Sequence, residues 1–390
     1  MGSATRPVAE DAPLVGVQRG AAELAAHSRL APSGAPQWVP CPGSLILQEQ
    51  FPEEEGVEAQ EGTAAHWIFA EELAGREAGP LASNGIATND EMREAAAIYV
   101  EDVQKVFATL DANAIMQVEY KTKAPSIHDL CWGTLDTTIY DWGHDTIYLW
   151  DFKYGHGFVE VFENWQTVCY LAGILDEINS TKEYTIIIRI VQPRWYGGPP
   201  VREWKTTSSR IREMVRQANA SAHEALGDNP RTHVGPHCKY CTGRHACKAL
   251  QIAAIDAVET SSDARPLVLA PPELGLELRL LKQASALLEM RLAGLESQAM
   301  AELRAGKIVP GWAIEHSQGR EEWIKPSTEV IALGDMLGVK LGKDPAPLTP
   351  AQARKAGMPA DVVAQYCRRK TGEAKLTPVS TVAARAAFGG

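Results

Sequence analysis

The sequence has no apolar run near the ~18–20 residues that a membrane-spanning helix needs, so no span is expected. Its first residues, MGSATRPVAEDAPLVG, lack the basic start and apolar core of a secretory signal. Cysteine is scarce, with seven in 390 residues, and an odd number suits no disulfide framework. Positive charge is short as well: the net charge is −11, which at face value speaks against a nucleic-acid partner. No internal repeat and no low-complexity tract is present. What remains is 45% hydrophobic, 22% charged and 7% aromatic, a composition that excludes wholesale disorder and leaves room for two or three domains. A cytoplasmic location is the expectation.

The charge is unevenly spread. Residues 1–180 carry 9 Lys and Arg against 28 Asp and Glu, whereas residues 181–247 carry 11 against 5. A phosphate backbone responds to local potential, so the basic stretch from Lys182 to Arg244 is a candidate DNA track. Within it, Trp195, Tyr196 and Trp204 are candidates for stacking on unpaired bases, although such aromatics commonly sit in cores. The cysteines are uneven too: three crowd into residues 238–247, which points to a metal site.

Residues 1–28 read as a disordered arm. Helical periodicity covers 57–73, 91–110, 164–178 and 208–226, and β-branched or alternating runs cover 114–120, 133–141, 146–153, 184–192 and 201–205. A proline-containing linker at 264–272 precedes a leucine-rich helix over 273–305, a strand at 307–316, then short helices. The order predicts an α/β core over about 29–250, a central mixed sheet flanked by helices, with a mainly helical extension over 265–390.

The most informative stretch is GTLDTTIYDWGHDTIYLWDFK, residues 133–153. Trp142-Gly143-His144-Asp145 is a turn between two alternating runs. A turn centred between Gly143 and His144 pairs Asp136 with Asp151 and puts Lys153 on the same side. Opposed carboxylates repel unless a cation lies between them, and a hard dication such as Mg²⁺ or Mn²⁺ accepts their oxygens readily. An adjacent ammonium can then orient water or stabilise developing charge, which suits phosphodiester hydrolysis. Exposed strand carboxylates offset by Lys153 are the bland alternative.

These residues resemble the PD-(D/E)XK nuclease superfamily: a glycine-led Asp136 on one strand, then Asp151-Phe152-Lys153 on the next. Glu61-Gly62-Thr63-Ala64-Ala65-His66, Gln166-x-x-x-Tyr170, the run Cys238-x₂-Cys241-x₅-Cys247 and the lone upstream Cys41 narrow the resemblance to its RecB-like iron–sulfur exonuclease branch. That branch includes the AddB helicase–nuclease subunits and the CRISPR-associated exonucleases. With Trp38-x-x-Cys41-Pro42-Gly43, the sequence is most similar to an uncharacterised phage- and prophage-encoded group.

The resemblance spans about 29–250 and implies a restriction-endonuclease-like core and a metal-dependent DNA exonuclease. His66, Asp136, Asp151 and the Phe152 carbonyl would hold Mg²⁺ or Mn²⁺, and Lys153 would position the attacking water. Gln166 and Tyr170 would hydrogen-bond the scissile phosphate or the water on the metal. Cys41, Cys238, Cys241 and Cys247 would hold a [4Fe–4S] cluster. Structural zinc is the alternative for that clasp, kept open by His233, His237 and His245. Glu119, at a strand end where glutamate is commonplace, is a further ligand candidate, and Cys131, Cys169 and Cys367 read as plain thiols.

DNA is the implied partner, with a phage single-strand annealing or recombination protein as a second and the oligomeric state left open. A nuclease-fold protein that binds DNA or a partner without cutting is the alternative function.

Overall fold

In the computed structural model, the described residues are 15–17, 28–52, 56–261, 268–343, 346–347 and 349–378. The chain divides into two compact units at Arg291/Leu292. Most of the predicted arm, and much of the predicted 264–272 linker, lie outside the described residues.

The first unit is built on β2 (Ile115–Lys123), β3 (Trp132–Asp141), β4 (Thr146–Phe152), β5 (Thr185–Val191) and β6 (Val201–Thr207), with β1 (Val15–Val17) as a short edge strand parallel to β2. Spatial order follows chain order. β2, β3 and β4 form an antiparallel meander, β4 and β5 run parallel, and β6 returns antiparallel. A parallel pair needs a crossover, and the helix over residues Trp165–Ile178 provides it.

The helices of this unit are α1 (Ala35–Trp38), α2 (Ser44–Glu49), α3 (Val57–Leu73), α4 (Asp90–Phe107), α5 (Trp165–Ile178), α6 (Ser208–Ala225) and α7 (Lys248–Ser261), with α8 (Pro271–Arg304) beginning in it. Strand alternation sorts them onto two faces. Leu149, Ile186, Ile188 and Ile190 pack with Leu171, Ile174, Ile211 and Met214 of α5 and α6. Ile139, Trp150, Phe152 and Val191 pack instead with Ile68, Phe69, Tyr99 and Val103 of α3 and α4. Helix starts follow local chemistry: Asn89, Asn164 and Thr207 cap α4, α5 and α6 by accepting first-turn amides.

A polar tie joins α4 to the sheet. Asp102 Oδ2 accepts from Trp150 Nε1 at 2.8 Å, and Arg189 Nη1 lies 2.9 and 3.0 Å from the two Asp102 oxygens. Arg189 also donates to Glu203 across the β5–β6 ladder. Removing Asp102 leaves an indole N–H and a largely buried guanidinium short of acceptors. Asp102→Ala is therefore expected to cost about 2–4 kcal/mol in urea unfolding, with a smaller loss for Asp102→Asn.

The second unit pairs β7 (Trp312–Trp323) antiparallel with β10 (Cys367–Pro378). Between them in sequence come α9 (Ser327–Met336), the two-residue strands β8 (Gly342–Lys343) and β9 (Ala346–Pro347), α10 (Pro350–Lys355) and α11 (Ala360–Tyr366). Val330, Leu341, Ala353, Met358 and Val363 form its small core. Helices are joined here by a long two-stranded pair, and the strand expected at 307–316 starts later and runs further, over Trp312–Trp323.

Candidate active site and cysteine clasp

The β3–β4 register pairs Thr137 with Trp150 and Asp141 with Thr146. One step beyond Thr137, Asp136 stands opposite Asp151, as the turn predicts. The ladder ends there, and the Asp136 side chain takes over: its Oδ2 accepts the Phe152 N–H at 2.6 Å. Phe152, expected as a ligand through its carbonyl, is thus tied to Asp136 through its amide.

α3 brings in His66, whose Nδ1 lies 3.1 Å from Asp136 Oδ1 and 4.0 Å from Glu119 Oε1. Ala64 and Ala65 beside it are buried without exposure, and such small side chains let α3 approach the sheet closely. Glu119 joins by an irregular backbone. Its φ is 49°, a left-handed value inside a strand, and its neighbours Val118 and Tyr120 pack on opposite faces of the sheet instead of sharing one. The pleat inverts at this residue, and Glu119, His66 and Asp136 carry ligand atoms within 4.8 Å of one another.

Lys153 completes the group. Its Nζ lies 2.9 Å from Asp151 Oδ2, donates to Oδ1 at 3.3 Å and donates to Gln166 Oε1 at 2.8 Å. Gln166 Nε2 in turn reaches the Tyr170 hydroxyl at 3.4 Å. Tyr170 is only 6% exposed, and burial with the nearby Asp136 and Asp151 charges keeps its hydroxyl protonated. Half-buried Gln166 and buried Tyr170, expected against the substrate phosphate or the water on the metal, are linked to each other and to Lys153. Gln192, which the sequence did not single out, pins the following loop by donating to Gly155 O and Gly157 O at 2.8 and 2.6 Å.

The electrostatics are those of an acidic site held by protons. Burial raises the Asp151 pKa, Lys153 draws it down and Asp136 pushes it up again, so the two aspartates sense each other. Burial raises the Glu119 pKa to about 7, with Asp136 adding to it and His66 opposing. Burial depresses His66, yet Asp136 and Glu119 more than offset this and lift it to about 9. Protonated His66 and Lys153 are the counter-cations of three carboxylates.

A dication needs a neutral imidazole, so binding one would expel the His66 proton. Mn²⁺ affinity is therefore expected to rise with pH up to about 9 and then level, with proton release at pH 7.5 seen by calorimetry in buffers of different ionisation enthalpy. The opposite sign holds for the metal-free fold. The stability it draws from charged His66 is complete below 6.5 and gone above about 9.

The four predicted cysteines converge elsewhere in the first unit, all buried. Cys41 lies between α1 and α2, Cys238 lies in a short 3₁₀ turn (Pro236–Tyr240), and Cys241 and Cys247 flank a second one (Thr242–Ala246) before α7. Gly43 N–H donates to Arg231 O at 2.8 Å, and a Cβ on Gly43 would stand 2.8–2.9 Å from the Pro230 and Arg231 carbonyls, so only glycine permits this approach. Cys41 Sγ accepts the His233 N–H at 3.2 Å and Cys238 Sγ accepts the Gly235 N–H at 3.5 Å. Burial pushes the Cys241 thiol up to about 11 despite the Gly243 amide, with the Cys238, Cys41 and Cys247 thiols adding to the rise. Cys131, Cys169 and Cys367 are free and stand outside this group, the first two buried.

The basic stretch from Lys182 to Arg244 is less available than its composition suggests. Lys182 pairs with Asp145, Arg189 with Asp102 and Glu203, Arg194 with Glu91, Arg210 with Glu163 and Glu213, and Arg231 with Glu224. Of its aromatics, Trp204 packs against the core and Trp195 against Phe158 and Arg202, while Tyr196 is 80% exposed. Among the described residues, no helix is long and apolar enough to cross a membrane.

The solved structure of a "Putative exonuclease" from Eubacterium rectale overlaps 66% of this chain and 98% of its own, at 9% identity and a TM-score of 0.35, too slight a likeness to transfer a fold or a role. The match to a family is far broader. The family described as "Protein of unknown function (DUF2800)" matches residues 27–340, which takes in strands β2 to β6, both flanking helix layers, the acidic site and all four clasp cysteines. The chain belongs to the DUF2800 family.

Proposed function

We propose that this protein is a metal-dependent deoxyribonuclease, a DNA exonuclease of the RecB-like PD-(D/E)XK kind, acting in phage or prophage DNA recombination or processing. The observation that carries the proposal is the meeting of Asp136, Asp151, His66 and Lys153 around one acidic point at the open end of the β3–β4 hairpin. Glu119, His66 and Asp136 bring together the mixed nitrogen and oxygen donors that suit Mg²⁺ or Mn²⁺, and Asp151, proposed as a further ligand, lies outside that group against Lys153. Once bound, such an ion would supply Lewis acidity toward the phosphoryl oxygens and lower the pKa of water.

The chain's own residues do the rest. Asp151 holds Lys153 from one side and Gln166 from the other, so its ammonium is fixed against the carboxylates. There it can orient a water for attack and offset charge developing on the phosphate. Phe152 N–H locks the Asp136 carboxylate, leaving Oδ1 toward His66.

The clasp is proposed to hold a [4Fe–4S] cluster. Four buried thiols, two of them receiving backbone amides, form a donor set for a metal that demands thiolates. Among the described residues, no three of these sulfurs fall in a group within 4.8 Å. Structural zinc on the same thiols is the alternative, and the colour and metal content of the purified protein decide between them.

End-labelled single- and double-stranded DNA, incubated with and without Mn²⁺, tests the function. Degradation from an end that stops on chelation is the expected result. DNA retention without cleavage would instead favour a non-cleaving binding protein.

A further inference from the structure

The β3–β4 hairpin has a second end. At its tip Asp141 closes the ladder opposite Thr146, and residues 142–145 turn the chain. Three ligand-type side chains meet there: Asp111 from the segment entering β2, Asp141 from the last position of β3, and His144 from the turn. Their ligand atoms lie within 4.8 Å of one another. His144 Nδ1 is 2.9 Å from Asp141 Oδ2 and 3.8 Å from Asp111 Oδ2.

Asp141 is the informative member. It is 2% exposed, and its second oxygen, Oδ1, is buried with no hydrogen-bond partner. A carboxylate oxygen in that state is costly unless something else satisfies it. Its direction is fixed by Gly143. A Cβ at that position would stand 2.5 Å from Asp111 Oδ2 and 3.6 Å from Asp141 Oδ1, so both oxygens face the space that glycine leaves open. Nearby polar groups are engaged elsewhere: Lys182 pairs with Asp145, and Thr146 Oγ1 donates to His144 O at 3.0 Å.

We propose that Asp111, Asp141 and His144 form a second divalent-cation site, for a first-row transition ion such as Mn²⁺ or Zn²⁺. One imidazole nitrogen with carboxylate oxygens is a donor set of that class. The exposed side chains of Asp111 and His144 leave the remaining coordination positions to water. Asp141 lies five steps along β3 from Asp136, about 16 Å at strand rise. Its role is structural: it ties the entry of β2 to the tip of β3–β4, bracing the three strands that carry Glu119, Asp136 and Asp151.

Mn²⁺ is the probe, because thiolates in the clasp compete for it poorly. Bound equivalents are counted from the free-ion electron paramagnetic resonance signal of the full-length chain. Asp136→Asn removes the ion at the other end of the hairpin and is expected to retain one equivalent. Adding His144→Ala or Asp111→Asn, both solvent-exposed changes, should abolish that equivalent, along with the rise in Tm that Mn²⁺ gives the single variant. Gly143→Ala, which pushes the Asp111 carboxylate out, should weaken binding at least tenfold. The proposal falls if Asp136→Asn binds no Mn²⁺, or if its binding survives both His144→Ala and Asp111→Asn. Conversely, Mn²⁺ lost only with the turn variants, and unaffected by Asp136→Asn, would overturn the reading of the acidic site and leave this one standing.

Discussion

Asp151→Asn and Lys153→Ala are each expected to reduce Mn²⁺-dependent DNA degradation by about 10³-fold or more, with the fold intact. The argument is local. Asp151 is both a prospective ligand and the anion that holds Lys153, so the amide breaks two functions at once while keeping the volume of a residue that is 2% exposed. Loss of a single group that stabilises transition-state charge or moves a proton costs about 10²–10⁴ in rate. Gln166→Ala should cost less, about ten- to a hundredfold, and should appear in kcat with KM unchanged, since Gln166 accepts from the Lys153 ammonium and positions it. Circular dichroism and melting curves control for folding. Wild-type rates in both Asp151→Asn and Lys153→Ala would exclude the mechanism.

The second large effect concerns the clasp. Cys41→Ser or Cys238→Ser is expected to release the bound metal and to destabilise the first unit by about 5 kcal/mol. That figure follows from chain entropy: the link closes a loop of nearly 200 residues, and its loss returns that freedom to the unfolded chain. The free thiols add a second push. With Cys241 raised to about 11, its thiol stays protonated near neutrality once the metal is gone and supplies no thiolate to replace the lost bond. Anaerobically purified wild type should be brown and the variants colourless. Limited proteolysis should cut first around residues 28–52 in the variants. A colourless wild type containing zinc would replace the iron–sulfur assignment while leaving the stability prediction in place.

Much of this site was legible in the sequence, and the reason is that the hairpin obeys simple rules. A Gly-containing turn between two β-branched runs sets a register, and the register alone brings Asp136 opposite Asp151. The helix carrying Gln166 and Tyr170 was equally plain, because Asn164 caps it and apolar residues fill its inner face. Glu119 was offered only as a strand-end candidate, and its left-handed backbone inside the strand was not legible, since nothing in the residue type announces it. The partial pairing of the basic stretch was hidden for another reason. Arg189 finds Asp102 from a helix 87 positions earlier, a pairing that no local charge count contains. The β7–β10 pairing joins segments too far apart in sequence for periodicity to connect them.

The inverted pleat at Glu119 has one more consequence. Val118 and Tyr120 anchor the same strand in opposite apolar layers, so the strand cannot relax at residue 119 without drawing the Tyr120 ring through the sheet. An unfavourable backbone of this kind stores about 1–3 kcal/mol. Here two separate cores hold it in place, and disturbance in either one would first be felt at the carboxylate between them.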